Sequence, residues 1–92
     1  MKQSVAEHSA LSFSLDQAVV GQRYVVTALH APTDVPEWSH WLEDIGFIAG
    51  EMVTVTGRSA IGGDPLVVRV GASTFALKRA EARCIRVLPA KQ

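Results

Sequence analysis

Apolar residues recur at helical spacing in the middle of the chain, in a segment bounded by proline and glycine. The positions i, i+3, i+4 and i+7 of this pattern are occupied by Trp38, Trp41, Leu42 and Ile45. Side chains at that spacing line one face of a helix, and such a face is usually buried. The pattern therefore predicts one short amphipathic helix.

The residues at both ends of this pattern favour sharp helix boundaries. We expect Asp34 to cap the N-terminus, with Glu37 completing a capping box and Pro36 in the first turn. Gly46 follows the last apolar residue and suits the left-handed backbone conformation that closes many helices. The helix is therefore predicted to stop just before Gly46.

Apolar and polar residues alternate with a period of two in three later segments, which predicts β-strands. These segments are 52–56, 66–70 and 73–77. The segment 60–65, with two glycines and a proline, is typical of a turn, and Gly71-Ala72 allows a tight reversal. The three strands are therefore expected to form a meander.

Two further strands are predicted outside this meander, at residues 23–29 and 84–88. The segment 78–82 is too short for a stable helix but long enough for one helical turn. About five short strands, one inserted α-helix and one helical turn before the last strand are typical of a small SH3-like β-barrel. The predicted fold class is therefore mainly β.

The length and composition fit one domain. The chain has 92 residues, of which 48% are hydrophobic, and this is enough for one modest core but not for two. We expect a flexible N-terminal tail at residues 1–10, a single domain at 11–89 and a C-terminal tail at 90–92.

The charge is balanced overall but divided along the chain. Residues 1–57 carry two basic and seven acidic residues, a formal net charge of −5, and residues 58–92 carry the reverse, +5. A neutral chain has no general attraction to nucleic acid or to an anionic membrane. The basic residues of the second half also lack the aromatic residues that stack on bases, so no nucleic-acid partner is expected.

Cys84 is the only cysteine, which excludes an intrachain disulfide and a thiolate cluster for zinc or an iron–sulfur centre. The sequence shows neither an apolar run near the ~20 residues of a membrane-spanning helix nor the pattern of a signal peptide. These features favour a cytoplasmic protein. No serine or cysteine has a context that suggests a base and an orienting group, so we expect no catalytic residue and no enzyme.

Four residues of the predicted helix could donate ligands to a divalent metal: Glu37, His40, Glu43 and Asp44. Nitrogen and oxygen donors on one exposed helix form a weak, unselective site unless a second molecule completes it. A solvated polar helix face is the simpler interpretation. No cofactor is required, and a metal at this position would be weakly bound zinc or ferrous iron.

A helix that covers a small barrel rarely buries two indole side chains completely. We expect one of the two tryptophans in the core and the other partly exposed, where tryptophan commonly serves as a protein-binding hot spot. The candidate partner-binding residues are Trp38, Trp41, Leu42, Phe47 and Ile48. A structural role in turns is assigned to Gly46, Gly50, Gly63, Asp64 and Pro65.

Three short motifs follow one another along the chain: Leu42-x-x-Ile45-Gly46-Phe47-x-x-Gly50, Gly63-Asp64-Pro65 and Ala76-Leu77-Lys78-Arg79-x-Glu81-Ala82-x-x-Ile85-x-Val87. Each motif is common by chance, but their order and spacing make a combined match more specific. In this arrangement the chain resembles the FeoA family of bacterial ferrous iron transport proteins, over residues 11–88.

The resemblance implies a small cytosolic accessory protein that supports ferrous iron uptake by contact with the cytoplasmic part of a FeoB-type membrane transporter. Any membrane association would then occur through that partner. Two alternatives remain open, because a fold by itself does not define a function. One is a divalent-metal-binding or metal-responsive regulatory module, and the other is a small barrel that binds nucleic acid.

Overall fold

The computed structural model describes residues 12–90. The predicted tail at 1–10 and residues 91–92 lie outside the described residues. Six strands are present in the described part: β1 (Phe13–Ser14), β2 (Arg23–Leu29), β3 (Met52–Arg58), β4 (Leu66–Val70), β5 (Ser73–Leu77) and β6 (Ile85–Pro89). The helical elements are a 3-10 helix (Leu15–Gln17), α1 (Glu37–Asp44) and α2 (Arg79–Ala82).

The strands form one antiparallel sheet in the order β1-β6-β2-β3-β4-β5, so the predicted fold class is confirmed. The meander of β3, β4 and β5 is also present, with each strand paired to the next. β1 was not predicted, because two residues are too few to show an alternating pattern. Its Phe13 pairs with Val87 of β6 and extends the sheet by one short strand.

The core lies on one face of the sheet, as the alternation of side chains requires. In β4, Leu66, Val68 and Val70 are buried, whereas Val67 and Arg69 are exposed. The residues that β2, β3 and β6 direct to the same side are also buried. The opposite face of the sheet, which we call the outer face, is therefore left to solvent.

Two register shifts bend the central strands. One lies between Val26 and Ala28 of β2, and the other lies between Val55 and Gly57 of β3. In both places two residues of one strand oppose one residue of its neighbour, which is the geometry of a β-bulge and curves the strand. The curvature lets α1 and the residues after it close over the core.

The N-terminus of α1 differs from the prediction. Pro36 is the residue that precedes the helix, and no side chain caps it, so the predicted capping box between Asp34 and Glu37 is wrong. The chain instead enters the helix through a backbone turn, in which the Trp38 N–H donates to the Val35 carbonyl at 3.1 Å. Because this backbone turn starts the helix, no cap from Asp34 is needed, and the Asp34 side chain is exposed to solvent.

The C-terminus of α1 closes at Gly46, which has a φ of +120°. The Phe47 N–H donates to the Leu42 carbonyl at 3.0 Å, and the Gly46 N–H donates to the Glu43 carbonyl at 3.1 Å. These two bonds are the pair that defines a Schellman motif. The reversal sends the chain directly from the helix back to the sheet.

Candidate protein-binding surface

A groove runs between β2 and α1 and has a volume of about 250 Å³. Ala28 and Leu29 form its wall on β2, and Ser39, His40 and Glu43 form its wall on α1. Phe47 and Ala49, which follow the helix, also line it. The groove therefore has an apolar side and a polar side.

The segment after α1 is held rigidly beside this groove. The Gly50 N–H donates to the Val26 carbonyl at 2.8 Å, and the Val26 N–H donates to the Glu51 carbonyl at 2.9 Å. Both bonds attach the segment to β2. Ile48 lies between α1 and this attachment, its N–H donates to the Gly46 carbonyl and its carbonyl accepts from the Glu51 N–H, both at 2.9 Å. Its side chain is 48% exposed. Its apolar side chain is thus presented to solvent on a fixed backbone.

The two tryptophans of α1 have different environments. Trp38 is partly buried and packs against the core, whereas Trp41 is 40% exposed. Helical spacing placed both on the buried face, but the residue that α1 buries completely is Leu42. We use the name α1 surface for the exposed side chains of Trp41 and Ile48 together with the groove, whose lining includes neither of these two residues.

Two of the predicted partner-binding residues belong to the core. Leu42 and Phe47 are fully buried, so neither offers exposed area to a partner, although Phe47 is one of the residues around the groove. Both side chains belong to the hydrophobic core. Phe47 also packs against Phe75 of β5, with their ring centroids 6.2 Å apart. Their contribution to any partner site is to hold the α1 surface in place.

Sequence reasoning missed a polar network that fixes the start of the domain. Asp16 is buried, and its carboxylate accepts a hydrogen bond from the Ser14 hydroxyl and lies 3.6 Å from the Arg83 Nε. The Arg58 guanidinium donates to the carbonyl oxygens of Asp16 and Ala18, at 2.9 and 2.7 Å. These contacts join residues far apart in sequence, and no local pattern signals them.

The sequence of the domain matches the model of one protein family, the FeoA domain, over residues 13–89. This match spans most of the chain. The chain belongs to the FeoA domain family. The family is linked to ferrous iron transport and is not a known enzyme family.

The fold of this FeoA domain is similar to that of solved FeoA proteins. A zinc complex of FeoA from Stenotrophomonas maltophilia, described as an SH3 domain protein, is 29% identical with a TM-score of 0.74, over 82% of this chain and 88% of that one. FeoA from Chlorobium tepidum is 29% identical with a TM-score of 0.71, over 86% of this chain and 71% of that one. No curated protein matched in the sequence comparison.

One of the similar structures is a regulator. A manganese-dependent transcriptional repressor matches with a TM-score of 0.71 and 19% identity, over 86% of this chain and 42% of the repressor. At that identity the likeness shows the fold alone. The FeoA domain therefore has the shape of a module that also occurs within a larger regulatory protein.

The four predicted metal ligands do not converge in this FeoA domain. Glu37, His40, Glu43 and Asp44 are exposed on α1, and only His40 and Glu43 line the groove. Within residues 12–90, no three His, Cys, Asp or Glu side chains are grouped closely enough to hold a metal ion. A metal bound at His40 and Glu43 would need further ligands from water or from a second molecule.

The predicted turn residues Gly63 and Asp64 have structural positions. Gly63 has a φ of +70°, in the loop between β3 and β4. Asp64, the next residue, accepts a hydrogen bond from the Arg79 N–H at the start of α2, at 3.1 Å. Glu81 accepts a second bond from the Lys78 N–H at 2.8 Å. Both carboxylates thus satisfy backbone donors around the first turn of α2.

The helices that lie within residues 12–90 are all short or polar. None combines the length and the apolar character that crossing a membrane requires.

Proposed function

We propose that this FeoA protein is a cytosolic accessory protein of ferrous iron uptake, which binds the cytoplasmic part of a FeoB-type transporter through its α1 surface. It acts by protein–protein contact and not by catalysis. The observation that carries the proposal is the exposed Trp41 on a short helix whose neighbouring segments are hydrogen-bonded to the sheet.

The α1 surface has the composition of a small binding site. Trp41 and Ile48 provide exposed apolar area, and tryptophan is among the residues that most often dominate binding energy. His40 and Glu43 provide polar groups at the edge of the groove. Because the backbone around Ile48 is already fixed, little conformational entropy is lost when a partner covers it.

The charge around α1 favours a basic partner. Glu37, Glu43 and Asp44 are exposed on the helix, and the helix carries no lysine or arginine. Charges at the rim of an interface mainly accelerate association and select the partner, and salt screens them. Binding at the α1 surface is therefore expected to become slower as the ionic strength rises.

The proposal is tested by calorimetric titration of the protein into the soluble cytoplasmic region of its host's ferrous iron transporter, with and without guanine nucleotide. We expect saturable binding that Trp41→Ala weakens at least tenfold. Ile61→Ala is the matched control, because Ile61 is 88% exposed but lies in the loop between β3 and β4. Equal binding by both variants would remove the α1 surface from the interface, and no binding by the native protein contradicts the proposed partner.

A divalent metal on α1 is a second candidate, favoured by the zinc complex of the similar FeoA protein. His40 and Glu43 are the two donors that share the groove. We expect Zn²⁺ or ferrous iron to bind this chain weakly, and His40→Ala to remove that binding. A tight, stoichiometric site that survives His40→Ala would show that the metal is bound elsewhere.

A further inference from the structure

The outer face of the sheet carries a row of basic and hydroxyl side chains on four adjacent strands. Arg23 pairs with Thr54, Thr54 pairs with Arg69, and Arg69 pairs with Thr74. Residues that are paired across antiparallel strands project from the same face of the sheet. The row therefore crosses the outer face from β2 to β5.

Arg23 and Arg69 also line one cleft of about 350 Å³ together with Thr54 and Met52. The guanidinium groups of both arginines make no hydrogen bond and no ion pair with any other residue in the range 12–90. No strand residue that projects from this face is acidic. The strands of this face therefore supply positive charge and no carboxylate, and the nearest acidic group is Glu51, whose Oε1 lies beside Gly71 at the end of the cleft.

Within residues 12–90, β5 ends the sheet and no strand pairs with its outer edge. Val70 and Ser73 flank a two-residue turn, and they close the hairpin as a hydrogen-bonded pair. Hydrogen-bonded and non-bonded pairs alternate in an antiparallel ladder, so Phe75 and Leu77 also bond to β4. The N–H and C=O groups of Thr74 and Ala76 consequently point away from β4, and both residues are exposed.

This edge lacks the features that usually prevent strand addition. Edge strands are commonly protected by an internal proline, a charged residue, a bulge or a very short length. The five residues of β5 are Ser-Thr-Phe-Ala-Leu, and their pairing with β4 is regular. At the opposite end of the sheet, β1 is protected by its length of two residues. β5 is thus the edge on which another strand can pair.

From these two observations we infer that the β5 edge binds an acidic, extended segment of a partner protein as an additional strand. Backbone hydrogen bonds to Thr74 and Ala76 attach the added strand to β5. Arg69 lies on the neighbouring strand β4 and binds a carboxylate that the added strand projects over the outer face. Main-chain pairing with side-chain selection is a common mode of peptide recognition. A nucleic acid fits less well, because no aromatic residue of the described strands projects from the outer face to stack on bases.

This surface is separate from the α1 surface, so the two are tested independently. The probes are two synthetic peptides with alternating threonine or valine and a charged residue, one with glutamate and the other with lysine at the charged positions. Each is added to the ¹⁵N-labelled protein in low salt. With the glutamate peptide we expect saturable shifts and slowed hydrogen exchange at the Thr74 and Ala76 amides, and with the lysine peptide no change.

Two pairs of variants separate the backbone and charge contributions. Ala76→Pro removes an outward N–H while the pairing with β4 is kept, and proline is tolerated at such edge positions. It should abolish binding, whereas Ala76→Ser should not. Arg69→Gln should weaken binding of the glutamate peptide at least fivefold. Arg79→Gln, which removes one charge from α2, should leave this binding unchanged. Thermal melting verifies that each variant is folded.

Three results would overturn the inference. The first is an absence of shifts at β5 with the glutamate peptide. The second is equal binding of both peptides, which would leave the arginines without a role. The third is displacement of the glutamate peptide by a single-stranded oligonucleotide with tighter affinity, which would make the outer face a nucleic-acid site.

Discussion

The carboxylate of Asp64 accepts a hydrogen bond from the backbone N–H of Arg79, at 3.1 Å. The two residues are 15 positions apart, and the bond joins the loop between β3 and β4 to the first turn of α2. The first N–H groups of a helix have no partner within the helix. Asp64 therefore caps α2 from another part of the chain.

Replacing Asp64 by alanine should lower the free energy of unfolding by ~1 kcal/mol, the usual cost of losing a capping side chain. Asp64→Asn should retain most of that energy, because the amide oxygen can still accept the bond. The control is Asp34→Ala, since Asp34 is exposed and does not cap α1. Urea denaturation of the three variants measures the difference, and equal stabilities for Asp64→Ala and Asp34→Ala would refute the capping role.

Gly46→Ala should destabilise the domain by about 1–2 kcal/mol, because a side chain disfavours positive φ. A Cβ at this position would lie 3.6 Å from the Val70 Cγ1, an ordinary contact, so the cost arises from the backbone and not from a clash. Gly57→Ala is the matched control, since its added Cβ meets no atom within 4 Å and its φ is not positive. Thermal denaturation should give a clearly lower melting temperature for Gly46→Ala than for Gly57→Ala.

Arg58→Ala should cost roughly 1–3 kcal/mol, because it leaves the carbonyl oxygens of Asp16 and Ala18 without their charged donor. Arg58→Lys should recover only part of this loss, since one ammonium group cannot reproduce the geometry of the guanidinium. Arg69→Ala removes the same charge, but the Arg69 guanidinium makes no hydrogen bond or ion pair within residues 12–90. This variant should therefore leave the free energy of unfolding nearly unchanged. Chemical denaturation is the measurement.

Trp41→Ala and Leu42→Ala should differ sharply in stability although the residues are adjacent. Leu42 is fully buried, and its truncation should cost about 2–5 kcal/mol through lost burial and a cavity. Trp41 is 40% exposed, and its truncation should cost no more than about 1 kcal/mol. A large loss for Trp41→Ala would assign Trp41 to the core and remove the basis for its role in binding.

Burial raises the pKa of the Cys84 thiol above its ordinary value of 9.0, the charge of Glu81 raises it further, and Arg83 opposes both. At neutral pH the thiol is therefore protonated in both the folded and the unfolded states. As the pH rises, the unfolded chain loses this proton first, so the free energy of unfolding should fall. Cys84→Ala should show a shallower fall between pH 8 and 10, and parallel curves would contradict the shifted pKa.

Local patterns along the chain were sufficient to predict most of the secondary structure. Alternation over 66–70 and 73–77 predicts β4 and β5 with the bounds that the structure has, because each side of a strand faces either core or solvent. Gly46 likewise marks the end of α1, since a left-handed residue at a helix end is a local requirement. These features depend only on neighbouring residues, and the sequence by itself determined them.

Tertiary contacts decided the remaining features. Helical spacing cannot show that Trp38 packs on the core while Trp41 is partly exposed, because the width of the buried face depends on the curvature of the sheet beneath α1. The bond from Arg79 to Asp64 and the burial of Asp16 join residues that are distant in sequence. The free edge of β5 depends on strand order. Such features require the whole fold, because their physical cause is proximity created by packing.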